Sequence, residues 1–201
     1  MVAEWEEDED ECPEGGSPVI ECPVLVTDRL VLRQPHEDDI PELAELANNR
    51  KIADMLARMP HPYGVEEARD FVESTRRSGI AGSTYAVTLA ESGAFIGCAG
   101  LHGAKRGLEL GYWIGEPYWG RGYATETAHA LVDLTFRASA LDRLHVSCRL
   151  VNTASRRVIH KCGFQYAAQG MADSLSDGRV AVEHYTLDRS TWASLRSWGR
   201  M

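Results

Sequence analysis

A glycine-rich loop joins a strand-like run to a helical run past the middle of the 201-residue chain. The pattern predicts a strand over residues 108–114, a loop over 115–122 and a helix over 123–138. Glycines at positions 120 and 122 allow backbone amides to approach a ligand closely. The first turn of a helix adds free N–H groups at the positive end of its dipole. The junction therefore predicts a cradle for an anion, and a pyrophosphate suits it.

Two familiar phosphate-binding motifs fit this loop poorly. A Walker A loop ends in Gly-Lys-Ser/Thr, whereas residues 122–124 are Gly-Tyr-Ala. A dinucleotide-binding fold places GxGxxG after the first strand of a βαβ unit. Here Thr125 stands at the third glycine and the loop follows a meander. Asp142 lies about the right distance downstream, but it precedes the next strand instead of ending it. Both motifs are therefore disfavoured.

The remaining patterns predict a mixed α/β domain. Tight turns between three consecutive strand-like runs in the middle of the chain favour an antiparallel meander. A closing segment runs over 191–198. Strands are predicted over 25–33, 84–90, 94–102, 108–114, 143–150, 164–168 and 179–187, and helices over 38–56, 64–74, 123–138 and 153–162.

The charge of the chain is unevenly distributed. There are 30 acidic and 21 basic side chains, a formal net charge of −9. Residues 1–16 hold eight carboxylates and no Lys or Arg, which leaves 22 acidic against 21 basic side chains in the rest. We expect residues 1–20 to form a disordered acidic tail and residues 21–201 to form a single domain. The total charge therefore says little about whether the domain binds an anionic ligand.

Composition excludes several other classes of protein. A hydrophobic fraction of 44% is ordinary for a soluble globular domain, and no run approaches the roughly 20 apolar residues of a membrane helix. The start of the chain lacks the pattern of a secretory signal. Five widely spaced cysteines without a CxxC pair argue against a disulfide framework and against a metal site. A near-neutral body without a basic aromatic motif argues against a nucleic-acid partner. We expect a cytoplasmic protein without membrane attachment.

Residues 119–124, Trp-Gly-Arg-Gly-Tyr-Ala, resemble motif A of the GNAT superfamily of N-acetyltransferases, whose pattern is Gln/Arg-x-x-Gly-x-Gly/Ala. Six further runs resemble the RimJ/RimL-type branch, in family order over about residues 24–192: 27–33, 111–114, 124–126, 152–155, 161–164 and 185–192. The resemblance implies the GNAT fold, a central, mostly antiparallel twisted sheet of about seven strands with about four helices. It also implies an enzyme that transfers an acetyl group from acetyl-CoA to a primary amine by direct attack, with no metal.

The resemblance also implies the residues of the site. Glu109 is the candidate general base, and Ser155 is the candidate partner of the departing thiolate. Asn152 is expected to cap the helix that follows it and to contact the CoA arm. The residues implied in CoA binding are Trp113, Ile114, Trp119, Gly120, Arg121, Gly122, Tyr123, Ala124, Thr125, Asn152, Ser155 and Lys161.

Two positions depart from the family pattern. Trp119 stands where motif A has Gln or Arg, so a side-chain contact to phosphate is lost there. Ile159 stands where many members carry a tyrosine that acts as general acid. These departures raise an alternative, a CoA-binding regulatory module that has lost catalysis. His145 and His184 are interpreted as ordinary polar residues rather than bases.

The acceptor amine is the least determined part of this prediction. The first two helices and the connection over residues 50–63, with Arg58, Met59, His61, Pro62 and Tyr63, are expected to wall the acceptor side. The amine of a protein or peptide N-terminus is slightly favoured over a small-molecule amine. The resemblance also leaves a homodimer open.

Overall fold

The computed structural model describes residues 22–77, 82–104 and 106–198. The predicted disordered tail over residues 1–20 lies outside the described residues. Within them, none of the helices combines the length and the apolar character needed to cross a membrane.

Within the described residues, eight strands, numbered β1 to β8 along the chain with the ranges given at the end of this paragraph, form one sheet in the order β1-β2-β3-β4-β5-β6-β8-β7. Every neighbouring pair is antiparallel except β5 and β6, which are parallel, so the predicted mostly antiparallel sheet is confirmed. The strands are β1 (Leu25–Val26), β2 (Leu30–Arg33), β3 (Gly82–Leu89), β4 (Phe95–Ala104), β5 (Gly107–Ile114), β6 (Arg143–Arg149), β7 (Gln165–Ser174) and β8 (Gly178–Asp188).

The strand predicted over residues 25–33 is two strands, which accounts for the eighth. The backbone N–H of Thr27 donates to the carbonyl of Leu30 at 2.9 Å, and the hairpin that results pairs β1 with β2. The apolar pattern continues through this turn, so the sequence alone predicted one uninterrupted strand. The strand predicted over 164–168 continues instead to Ser174, because it pairs with β8 along most of its length.

In the part of the chain that the structure describes, six α-helices cover the sheet, two more than predicted. They are α1 (Ile40–Ala47), α2 (Arg50–Ala53), α3 (Val65–Arg77), α4 (Tyr123–Ala138), α5 (Thr153–Lys161) and α6 (Arg189–Trp198). The first predicted helix, over residues 38–56, is broken between α1 and α2. Asn48 leaves the helical conformation, and the side chain of Asn49 caps α2 by accepting from the N–H of Lys51 at 2.9 Å. Asparagine often interrupts a helix in this way, because its side chain forms hydrogen bonds with nearby backbone groups in place of the helical ones.

The helices lie in two layers, one on each face of the sheet. The larger core packs α4 and α5 on one face through buried residues such as Leu110, Leu131, Leu144 and Ile159. The smaller core packs α1 and α3 on the other face through residues such as Leu43, Val72, Phe95 and Cys98. Alternation along β5 sends Leu108, Leu110 and Tyr112 to the first face and Glu109 and Trp113 to the second.

The sheet opens between its two parallel strands. In β5 and β6, the paired positions are Glu109 with His145 and Leu110 with Val146. Residues 111–114 of β5 continue along β4, where Ile114 pairs with Gly97, but they have no register partner on β6 within the described strands. The two strands therefore diverge after Leu110. The opening connects the α4 and α5 layer with the α1 and α3 layer.

Candidate active site

The loop after β5 has the geometry of an anion cradle. Gly120 and Gly122 have φ angles of 75° and 83°, in the left-handed region that favours glycine, and Gly122 is the N-cap of α4. Residues 119–122 are exposed, so the first free N–H groups of the 16-residue helix are accessible. Gly120, Arg121, Gly122, Tyr123, Ala124 and Thr125, all predicted to bind CoA, form one continuous loop-to-helix segment. This segment fits the pyrophosphate of a CoA molecule.

Arg29 and Glu126 fasten the cradle to the β1–β2 hairpin. The carboxylate of Glu126 accepts from Thr27 Oγ1 at 2.6 Å and from Arg29 Nε at 2.7 Å. Arg29 also donates to the carbonyl of Arg121 at 2.9 Å and lies 4.8 Å over the ring of Tyr123. Burial raises the pKa of Glu126, but hydrogen bonds from Thr27 and Arg29 outweigh it and leave the pKa lowered. Sequence reasoning missed this role of Arg29, because Arg29 and Glu126 are 97 positions apart in the chain.

Trp119 is joined to the end of β5. Its indole Nε1 donates to the carbonyl of Ile114 at 2.5 Å, while 45% of the residue stays exposed. The residue at the Gln/Arg position of the motif therefore closes the loop back onto the strand. Arg121 leaves its side chain exposed and forms no ion pair with the described residues, so its charge is available to a phosphate.

The end of β5 forms one wall of the opening. The ring of Trp113 packs edge-on against Phe95, with centroids 6.1 Å apart, and Ile114 is buried in the larger core. A Cβ at Gly97 would collide with the carbonyl of Trp113, so the backbones approach closely here. Both side chains are structural, and the main chain of Trp113 and Ile114 is the part that can meet a ligand.

Two hydroxyl groups meet on the α5 side of the opening. The Tyr112 hydroxyl oxygen lies 3.0 Å from Ser155 Oγ, and Asn152 Oδ1 accepts from the N–H of Ser155 at 3.0 Å as the expected helix cap. Burial raises the pKa of Tyr112, so its phenol is protonated at neutral pH. Ile159 is buried in the core. Tyr112 was named in a motif but was not predicted as a site residue, because strand alternation does not reveal which helix residue it meets.

Lys161 lies at the other end of α5, away from these hydroxyls. The thiol of the next residue, Cys162, approaches the carbonyl of Thr125 at 4.0 Å, and His129 of α4 hydrogen-bonds to the backbone of Lys161. The end of α5 therefore packs beside the first turns of α4. The Lys161 side chain is exposed, and its role in CoA binding stays a prediction.

Glu109 lies on the opposite face from Tyr112 and Ser155, because Glu109 and Tyr112 are three positions apart along β5 and successive side chains alternate between the faces. Its register partners are His102 on β4 and His145 on β6. His184 on β8 shares this face, since it pairs with Ser147, two residues beyond His145. Sequence reasoning interpreted His145 and His184 as ordinary polar residues. Only the register of the strands brings them to the same face as the candidate base.

The wall of the acceptor side is tied to the hairpin between β7 and β8. Arg149 donates to the carbonyl of Asp54 and to the carboxylate of Asp177, and Leu175 N–H donates to Ala57 at 3.0 Å. Arg58, His61 and Pro62 of the connection over residues 50–63 are exposed, and their place beside the acceptor stays a prediction. The expectation for Tyr63 was wrong, because its ring is buried in the smaller core under α3.

Across residues 22–77, 82–104 and 106–198, there is no group of three or more His, Cys, Asp or Glu side chains that could hold a metal ion.

Comparison with known proteins identifies the family. The model of a GNAT acetyltransferase domain matches residues 29–165, more than half of the chain. The chain belongs to the GNAT acetyltransferase family. It is therefore an acetyl-CoA-dependent N-acetyltransferase, as the motifs predicted.

Individual relatives agree with this assignment. The chain is 26% identical over 146 residues to the uncharacterized N-acetyltransferase p20 of Bacillus licheniformis, covering 70% of this chain and 82% of p20. It is 26% identical over 145 residues to the putative ribosomal N-acetyltransferase YdaF of Bacillus subtilis, covering 69% and 79% of the two chains. The RimJ/RimL-like resemblance is thus confirmed.

Solved structures share the fold. One is RimL, a ribosomal L7/L12 alpha-N-protein acetyltransferase in complex with coenzyme A, with a TM-score of 0.68, 21% identity and coverage of 82% of this chain and 97% of RimL. Another is spermidine N-acetyltransferase from Vibrio cholerae in complex with CoA and spermine, with a TM-score of 0.69, 20% identity and coverage of 83% and 99%. The same fold thus serves protein and polyamine acceptors.

Proposed function

We propose that the acceptor is the N-terminal amine of a protein or peptide rather than a small polycationic amine. The observation that carries this is the charge around Glu109. The positive charge of Arg58 lowers the pKa of His102, and the positive charge of Arg106 lowers the pKa of His145 and of His184. Neither arginine forms an ion pair within the described part of the chain. A polyamine would bring several ammonium groups to two unpaired guanidinium groups, whereas a peptide brings one amine.

The relatives support the same choice without deciding it. YdaF carries a ribosomal N-acetyltransferase name and RimL acetylates the alpha-amine of a ribosomal protein. The spermidine enzyme shares the fold equally well, so the charge of the acceptor side is the stronger argument.

On the CoA side, we assign the pyrophosphate to the backbone N–H groups of residues 120–125, with the charges of Arg121 and Lys161 nearby. The main chain of Trp113 and Ile114 would line the pantetheine arm, and Trp119 would hold the loop in place. Asn152 and Ser155 would contact the arm at the start of α5. This assignment gives each predicted binding residue a role consistent with its position.

On the acceptor side, Glu109 would remove a proton from the amine, directly or through a water, because an alkyl ammonium cannot attack a carbonyl. The amine nitrogen then forms a bond with the thioester carbon, and the carbon–sulfur bond breaks. The hydroxyls of Tyr112 and Ser155, on the other face, would donate a hydrogen bond or a proton to the departing thiolate. Cys98, Cys148 and Cys162 are buried, and burial raises the pKa of each thiol, which disfavours a covalent enzyme intermediate.

The test is thiol release from acetyl-CoA over a panel of lysine-free peptides, amino acids, polyamines and aminoglycosides, with CoA binding measured in parallel. We expect kcat/KM for the best peptide to exceed that for spermidine by at least about tenfold, the effect of about 1.4 kcal/mol. The same peptide with a blocked N-terminus is the control and should not react. A preference for polyamines would contradict the proposal. Tight CoA binding without turnover on any amine would favour the inactive regulatory module.

We also propose a single catalytic domain over residues 21–201, a cytoplasmic location and a homodimer. Light scattering of the purified full chain tests the assembly, and a monomer at micromolar concentration would contradict the dimer.

A further inference from the structure

Four titratable side chains form a row across four neighbouring strands. In sheet order they are His102 on β4, Glu109 on β5, His145 on β6 and His184 on β8. His102 and His145 are the direct register partners of Glu109. His184 pairs with Ser147, which lies two residues along β6 from His145. Paired residues and residues two apart point to the same face, so all four side chains share the acceptor face.

Glycines make room for each imidazole. A Cβ at Gly111 would lie 3.5 Å from His102 Nε2, and a Cβ at Gly107 would lie 3.5 Å from His145 Cδ2. Gly107 and Gly111 flank Glu109 on its own face of β5, so an imidazole covers the strand on each side of the carboxylate. A Cβ at Gly170 would lie 2.9 Å from His184 Nε2, so any larger residue there would displace the third ring.

The surroundings keep these imidazoles neutral at neutral pH. Desolvation lowers the pKa of His102, although part of the residue is exposed; Arg58 also lowers it and Glu109 raises it. Desolvation is likewise the largest effect lowering the pKa of His145 and of His184. The charged groups that face His145 are Arg143, Glu109, Arg106 and Asp188, and those that face His184 are Arg106, Glu109 and His145.

Beyond Glu109 on β5, the row continues to His145 on β6 and to His184 on β8. His184 Nδ1 lies 2.8 Å from Ser147 Oγ, so the hydroxyl fixes the orientation of the ring. His145 and His184 are both partly exposed. A neutral imidazole with one free nitrogen can accept a proton at one atom and release another, which is what a relay requires.

We propose that His145 and His184 relay the proton that leaves the acceptor amine from Glu109 to solvent. This rests on the proposed acetyl transfer. An ammonium acceptor and acetyl-CoA give an amide, free CoA thiol and one proton. The acceptor nitrogen loses two protons in all. One balances the proton that the thiolate takes up on the other face, and the surplus proton leaves through Glu109, His145 and His184 in turn. His145 and His184 act through Glu109 and are relay residues, not groups that touch the acceptor.

The first test is the pH profile of kcat for His145→Gln and His184→Gln on the best acceptor. We expect kcat at pH 7 to fall by about 10–100-fold, within the usual range for assisted proton transfer, with acetyl-CoA affinity within twofold of wild type. The deficit should shrink as pH rises, because the acceptor then loses its proton in solution. The matched control is His36→Asn, since the exposed His36 precedes α1 and lies on none of the four strands of this row, and it should keep wild-type kcat. Wild-type kcat and a wild-type profile in both variants would overturn the relay.

The second test follows the imidazoles themselves by NMR titration, in wild type and in Glu109→Gln. Loss of the carboxylate should lower the pKa of His102, His145 and His184 further, because Glu109 raises the pKa of each. Unchanged titration of His145 would overturn the coupled row, whatever the turnover. If wild type releases no thiol with any amine, the proposed function fails, and these titrations still decide for or against the row. A preserved thermal unfolding midpoint verifies that each variant is folded.

Discussion

The hydroxyl oxygen of Tyr112 lies 3.0 Å from Ser155 Oγ, on the face of the sheet opposite Glu109. This pair stands beside the opening between β5 and β6, where the strands diverge after Leu110. Ile159, at the position where many family members carry a tyrosine, is buried in the core. A phenol from the strand thus reaches the start of α5 and offers a tyrosine hydroxyl, which position 159 of the helix lacks.

Removing either hydroxyl should lower turnover more than CoA binding. We expect Tyr112→Phe and Ser155→Ala each to reduce kcat by about tenfold or more, because a thiolate that leaves without a hydrogen bond is less stable. Acetyl-CoA affinity should change by less than about threefold, the effect of a weak neutral hydrogen bond. Steady-state kinetics and calorimetric binding measure the two quantities. Tyr166→Phe is the control, since Tyr166 is exposed on β7. Wild-type kcat in both variants would contradict the role of the pair.

Trp119 should matter for cofactor binding through the loop it holds. Trp119→Phe removes the indole N–H that donates a hydrogen bond to the carbonyl of Ile114. Loss of a hydrogen bond of about 1 kcal/mol predicts that the KM for acetyl-CoA rises about fivefold, with little change in kcat. Trp192→Phe is the matched control. It also removes an indole hydrogen bond, to Asp133 at 2.9 Å, but in α6. Equal effects of the two variants on KM would show that Trp119 has no particular connection with the cradle.

Asp39 should make stability depend on acid pH. Arg33 donates two hydrogen bonds to the carboxylate of Asp39, at 2.7 and 2.6 Å, and only 5% of Asp39 is exposed. Burial raises the pKa of Asp39, but Arg33 and the backbone of His36 outweigh it and hold the pKa below its usual range. A carboxylate whose pKa is lowered on folding contributes stability above its unfolded pKa of about 3.9, and this is lost as pH falls through the folded pKa.

Asp39→Asn should therefore lower the free energy of unfolding at pH 7 and flatten its decline below pH 4. We expect the free energy of unfolding at pH 7 to fall by about 2–3 kcal/mol. This loss is smaller than for a fully buried ion pair, because the Arg33 side chain is 33% exposed. Denaturant unfolding between pH 3 and 7 measures this. Asp38→Asn, at a carboxylate that is 93% exposed, should change little. A pH dependence identical to that of wild type in Asp39→Asn would contradict the account.

The acidic residues at the start of the chain should not affect CoA binding. Residues 1–16 hold eight carboxylates, and the remainder of the chain is nearly neutral. Deletion of residues 1–16 should leave acetyl-CoA affinity within about twofold at 0.15 M salt, where charges beyond about 8 Å are screened. An affinity that rises strongly on deletion would mean that the tail competes with CoA for the cradle.

Local signals in the sequence predicted much of the fold and the local geometry of the loop before α4. Glycines at 120 and 122 before a strong helix predicted the cradle, and Asn152 was expected as a helix cap. Contacts between distant positions were not predictable, since nothing local couples Arg29 with Glu126 or sets His145 opposite Glu109. Asn48 and Asn49 divide the first helix, and Thr27 turns the first strand, because side-chain and turn hydrogen bonds overrode the apolar pattern. Tyr63 looked like a lining residue, but its ring fills the core under α3.

The central claim is that groups on the two faces of the sheet act on the same reaction at the opening between β5 and β6. Glu109 removes a proton from the acceptor amine on one face, and Tyr112 and Ser155 donate to the thiolate on the other. The most direct test compares Glu109→Gln with Glu91→Gln, an exposed carboxylate in the turn before β4, on the best acceptor. The account predicts that Glu109→Gln lowers kcat by about 100-fold while acetyl-CoA affinity stays within twofold, and that Glu91→Gln matches wild type. Wild-type kcat in Glu109→Gln would contradict it.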